Sequence, residues 1–147
     1  MVNLDTITHA PPTLLRTSGG DGAWIQAWSR SRATRSAFLS LPYHLFGRSL
    51  TDLSPFEDAG IPGADFAATG KFTELHTSID RIDVVSPATL QQTGEQLLAL
   101  TRYLGDQVAL DFDVPNQTFF PAFGQLIHYP AGWAMPLATL AGLCFLG

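Results

Sequence analysis

Residues 51–80, TDLSPFEDAGIPGADFAATGKFTELHTSID, constrain this chain more than any other stretch. At their centre, Gly60-Ile61-Pro62-Gly63 joins two residues of free backbone geometry to a proline that fixes its own φ, which dictates a tight turn. Residues 64–69 after that turn are short, largely apolar and of strand length. Before it, residues 52–58 read as a short helix, with Thr51 or Asp52 as N-cap and Pro55 in the first turn. After the strand, a loop ends in His76-Thr77-Ser78-Ile79-Asp80. A helix, a turn, a buried strand and then a loop is the order of an α/β sheet, which keeps its chemistry in the loops that follow its strands. His76 is the imidazole such a loop presents.

The remaining elements arrange themselves around this segment. Residues 1–5, MVNLD, read as the end of a strand with an acid at its tip, and residues 13–17, TLLRT, as a second short strand. Ser18-Gly19-Gly20-Asp21-Gly22 is a turn leading into a helix from Ala23 to about Thr34, with Trp24, Ala27 and Trp28 sharing one core-facing side. Residues 38–50 are ambiguous, because Pro42 breaks any helix there, and His44 reads as a packed or surface histidine. Residues 86–104 are the clearest helix, with Ser86 as N-cap, Pro87 in the first position and Gly105 just past the end. Leu90, Gly94, Leu97, Leu98, Thr101 and Leu104 recur at helical spacing and are expected to lie on the sheet. The expected fold is α/β: a partial mixed sheet flanked by helices over residues 1–110, then a linker and an apolar helix of membrane type over residues 111–147.

Charge narrows the function classes. The formal net charge is −5, and no Asp, Glu, Lys or Arg follows Asp113. No basic patch exists to replace phosphate counterions, which excludes nucleic acid as a partner. Arg30, Arg32 and Arg35 read as the solvated side of a helix end. The single cysteine, Cys144, excludes an intrachain disulfide and a thiolate metal site, and its apolar surroundings make it a packing residue. The N-terminus MVNLDTITH has neither the basic start nor the apolar core of a signal peptide. Residues 131–147 are uncharged, almost wholly apolar and just short of the ~20 residues that span a bilayer. With Phe and Tyr ahead of them and Trp133 near their start, in the manner of an interfacial belt, they read as the beginning of a transmembrane helix. A buried C-terminal helix is the alternative.

The order Asp52…Phe56…Gly60-Ile61-Pro62-Gly63, followed by His76-Thr77-x-x-Asp80, resembles the C-terminal part of the M28 family of zinc peptidases. The closer likeness is to the membrane-anchored branch that includes the vacuolar membrane protease type. By that resemblance Asn3-Leu4-Asp5 ends on a zinc-binding carboxylate and His76 is the last histidine ligand; from the residues alone, Asp5 reads first as a strand-terminal acid that starts a turn. Asp52 matches a residue at the edge of the active site, and is otherwise a helix cap. Asp80 could orient His76 or the loop backbone, or simply cap a turn. Leu53 and Leu75 depart from the family's usual His and Tyr.

In the parent enzymes a pair of zinc ions polarises the scissile carbonyl and supplies hydroxide near neutral pH. The family's preceding landmarks, His-x-Asp and Glu-Glu, do not occur in this sequence. Asp5 and His76 serve different metals in the family, so this chain is expected to hold zinc weakly or not at all and to carry no catalytic residue. The resemblance thus implies part of a membrane-anchored di-zinc exopeptidase, aminopeptidase-like, acting on peptides outside the cytoplasm and meeting the bilayer through its C-terminal segment. The alternatives are a non-catalytic membrane-attached module built on the same fold, and a metal-free soluble protein.

Overall fold

A computed structural model describes residues 1–5, 12–31, 51–68, 76–107 and 109–146. Its organising strand is the one that follows the Gly-Ile-Pro-Gly turn. Gly60 takes φ +72°, which the turn demands of it, and at Gly63, the first residue of the strand, a Cβ would crowd the buried Leu53 side chain. From there β3 (Gly63–Ala68) runs through the middle of a three-stranded sheet. On one side lies β1 (Val2–Leu4), parallel, with Val2, Asn3 and Leu4 opposite Ala64, Asp65 and Phe66. On the other lies β2 (Pro12–Ser18), antiparallel, with a register shift between Leu14 and Arg16. The sheet is mixed, as expected.

One face of the sheet is covered by α1 (Asp21–Arg30). Trp24, Ala27 and Trp28 are buried on it, and the Trp28 ring meets Phe66 with centroids 4.9 Å apart. A tilted pair of this kind adds about 0.5–1.5 kcal/mol to the area it buries. Expectations for residues 32–50, including His44, lie outside the described residues, as do those for residues 6–11 and for Leu75.

The short helix α2 (Ser54–Asp58) has Pro55 in its first turn. Its N-cap differs from the expectation. Leu53 holds that position without a side-chain cap, while Thr51 and Ser54 point their hydroxyls into the protein. The long helix α3 (Pro87–Gly105) is capped as expected, Ser86 Oγ accepting the Thr89 N–H at 3.0 Å. Its inward face is a correction. Thr89, Thr93, Gln96 and Leu100 are buried, while Leu90 and Leu98 are 56% and 48% exposed. Leucines occur on both sides of this helix, and the stripe that packs follows the 89-93-96-100 spacing, with Leu97 and Leu104 beside it.

Beyond α3 the chain forms a hairpin absent from the sequence reading, β4 (Gln117–Ala122) and β5 (Gln125–Pro130). Phe119 and Leu126 join the core against α1, and Asp21 Oδ1 accepts the Gln117 N–H at 2.7 Å, fixing the hairpin to the start of that helix. A single 3-10 turn, Ala131–Trp133, leads into α4 (Ala134–Leu146), which is apolar all round and has no buried residue. Its 13 residues give about 20 Å of length at 1.5 Å per residue, against ~30 Å of bilayer hydrocarbon. Among the described residues no helix is long and apolar enough to cross a membrane.

Candidate functional site

The site forms at the carboxyl ends of the parallel strands β1 and β3. The β1 ladder continues one residue past Leu4, because the Asp5 N–H donates to the Phe66 carbonyl at 2.9 Å. That bond fixes Asp5 at the strand tip with its side chain exposed. The chain after β3 returns at His76, also exposed, and Asp52 lies on the turn before α2. Asp52 and His76 each lie close enough to Asp5 to act on its charge. Two residues far from Asp5 in sequence thus act on it at the end of β1.

The Asp5 carboxyl pKa lies above the ordinary value. Partial dehydration is the first cause, followed by the like charges of Asp65 and Asp52; His76 and Arg16 pull the other way. A bound cation would relieve that repulsion. His76 itself adopts φ +61°, a left-handed conformation that is uncommon for a residue bearing a Cβ. Its N–H donates to Asp80 Oδ2 at 3.0 Å, and the Asp80 N–H donates to the Thr77 carbonyl at 3.1 Å. Asp80 therefore holds the backbone that presents the imidazole.

Beneath these exposed groups runs a buried polar network absent from the sequence reading. The Arg16 side chain on β2 and the Asp65 side chain on β3 are both fully enclosed, with Arg16 Nε 3.4 Å from Asp65 Oδ2. The other guanidinium nitrogens reach Glu57 Oε2 at 3.0 Å, Thr51 Oγ1 at 3.0 Å and Ser54 Oγ at 2.9 Å. Asp65 in turn accepts from Asn3 Nδ2 at 2.9 Å and Thr51 Oγ1 at 2.7 Å. Asn3 is two residues before Asp5, and Thr51 is one before Asp52. A charged residue inside each of two apolar strands was the available signal, since enclosed charges come paired.

The Peptidase family M28 model matches residues 1–101, most of the chain. The chain belongs to peptidase family M28. This is a family of metallopeptidases, typically zinc-dependent, and the match spans Asp5, the Arg16–Asp65 network and His76. It ends within α3, before the hairpin and α4. No curated protein and no solved structure gives a significant match.

Against an M28 metal centre, the donors fit only in part. Asp5 offers a carboxylate whose charge a cation would stabilise, and His76 an exposed imidazole. Among the described residues, however, no three His, Cys, Asp or Glu side chains come together as a metal-binding group. These donors alone do not complete a zinc shell, which needs at least three protein ligands in a catalytic site.

Proposed function

We propose that this chain supplies two ligands, Asp5 and His76, to the di-zinc centre of a membrane-attached M28 exopeptidase of aminopeptidase type. The electrostatic proximity of His76 to Asp5, at the tip of β1, carries the proposal. Asp52 and Asp80 act in support, Asp80 through the His76 backbone. The remaining ligands and the glutamate base belong to His-x-Asp and Glu-Glu elements that this sequence does not contain. By itself the chain then binds zinc weakly and hydrolyses no peptide. Apolar α4 supports attachment to a bilayer, and the family resemblance alone puts the peptidase part outside the cytoplasm.

Zinc titration followed by NMR tests the ligand assignment. Shifts are expected at Asp5 and His76, and these are lost in Asp5→Ala and His76→Ala but kept in His128→Ala. Aminopeptidase activity toward a leucine anilide is expected only when a segment carrying His-x-Asp and Glu-Glu is supplied. Zinc shifts that survive both substitutions would sink the assignment. No zinc response at any concentration would favour a non-catalytic module on the same fold.

A further inference from the structure

The β4–β5 hairpin carries features that its packing against α1 does not explain. Its strands are joined by a two-residue loop, Phe123-Gly124, with φ of +52° and +70°. Both positive values mark a type I′ turn, whose first position favours Asn, Asp or Gly. A phenylalanine there is strained, and Phe123 is 100% exposed, so no contact among the described residues compensates it.

The outer face of the hairpin is uncharged and exposes apolar surface beside the tip. Phe119 and Leu126 point inward, while the other side carries half-buried Phe120 opposite exposed Ile127, Thr118 opposite Tyr129, and Ala122 opposite Gln125, with no charge among them. Solvated faces of antiparallel sheets are ordinarily polar. Here no charged residue follows Asp113, and the last basic residue is Arg102. The hairpin then passes through exposed Trp133 into α4, which is apolar around its whole circumference.

We infer that the tip and outer face of this hairpin form a second membrane contact, with Phe123 entering the boundary between headgroups and acyl chains. The inference rests on the membrane attachment proposed above. A protein groove would cover one side of an apolar element, whereas α4 is apolar on every side and continuous with the hairpin. The absence of basic residues sets the lipid class: the contact is to electrically neutral lipid and independent of anionic headgroups. Six residues of β5 separate Phe123 and Gly124 from the turn at Trp133, about 20 Å at 3.4 Å per residue. The hairpin and α4 are therefore two distinct points of attachment.

Site-specific fluorescence separates them. In a Cys144→Ser background, an environment-sensitive dye is attached to Phe123→Cys, Leu140→Cys or Glu95→Cys of the full chain, and phosphatidylcholine vesicles are added. Blue shifts are expected at positions 123 and 140 but not at 95, unchanged by salt or by added anionic lipid. Phe123→Asn is expected to stabilise the hairpin, because Asn suits the turn, and yet to weaken vesicle binding about tenfold or more. A water-like dye at 123 beside a shifted one at 140 overturns the hairpin contact and leaves α4 attachment standing. Water-like dyes at both positions overturn both. A blue shift at 123 without vesicles, growing with protein concentration, assigns the tip to a second copy and overturns the lipid contact.

Discussion

Replacing Arg16 by methionine tests whether the scaffold under the site rests on one enclosed guanidinium. Methionine retains much of the aliphatic stem but leaves the Asp65 carboxylate, among the described residues, with the Asn3 and Thr51 donors, and removes a partner from Glu57, Thr51 and Ser54. Breaking a buried ion pair by removing one member costs about 3–5 kcal/mol. The Arg16–Asp65 contact, at 3.4 Å, is long for a charge-assisted bond, and Asp65 keeps two donors. The low end, about 3 kcal/mol, is therefore expected, a large share of the roughly 5–15 kcal/mol that holds a small domain together.

Urea unfolding in non-ionic detergent, followed by Trp24 and Trp28 fluorescence in a Trp133→Phe background, reads this as a lower midpoint at unchanged slope. The double variant Arg16→Met with Asp65→Leu removes both charges and is expected to recover most of the loss. If Arg16→Met stays within about 1 kcal/mol of the parent, or if the double variant is no more stable than the single, the buried-pair reasoning is refuted.

The packing of α3 makes opposite predictions for neighbouring leucines: Leu100→Ala should cost about 2–5 kcal/mol, whereas Leu90→Ala and Leu98→Ala should stay within about 0.5 kcal/mol in the same unfolding assay. Gln96 is buried with neither amide atom bonded among the described residues, so Gln96→Leu should raise stability by about 1–3 kcal/mol. Burial, and then the Arg30 charge, lower the His128 pKa below its ordinary 6.5, so the unfolded chain takes up this proton at a higher pH than the folded one. His128 thus makes stability fall as pH drops through about 6.5 and level off once the folded form is protonated too; His128→Gln should flatten that part of a pH–stability curve.

What was legible in the sequence is what local chemistry dictates. The Gly60–Gly63 turn, the strand after it and the Ser86-Pro87 helix start each depend on a few adjacent residues and stand where expected. The Trp24–Trp28 face was legible because both rings fall on one side of a single helix. The α3 face was not, because leucines on two sides gave competing stripes that only the neighbouring elements could decide between. The hairpin was hidden by its turn, since Phe-Gly lacks the Asn-Gly or Asp-Gly signature. The Asp5–His76 convergence entered through family resemblance, and the network beneath it through neither route, because it joins residues 3, 16, 51, 54, 57 and 65 across strands and turns.

That network also explains why the exposed acids lie where they do. Asp65 is enclosed because Arg16, Asn3 and Thr51 satisfy it, and satisfying it sets the positions of Asn3 on β1 and of Thr51 before α2. The β1 register then carries Asp5 to the strand tip, and the Thr51 turn exposes Asp52. The Asp65 charge that orders these segments also raises the proton affinity of Asp5, while Arg16 lowers it. The buried pair therefore ties together the segments that carry Asp5 and Asp52, while the raised Asp5 pKa owes most to partial dehydration and only then to Asp65. Substitution of Arg16 should accordingly disturb Asp5 along with stability, whereas substitution of His76, exposed on a loop held by Asp80, should leave the fold intact.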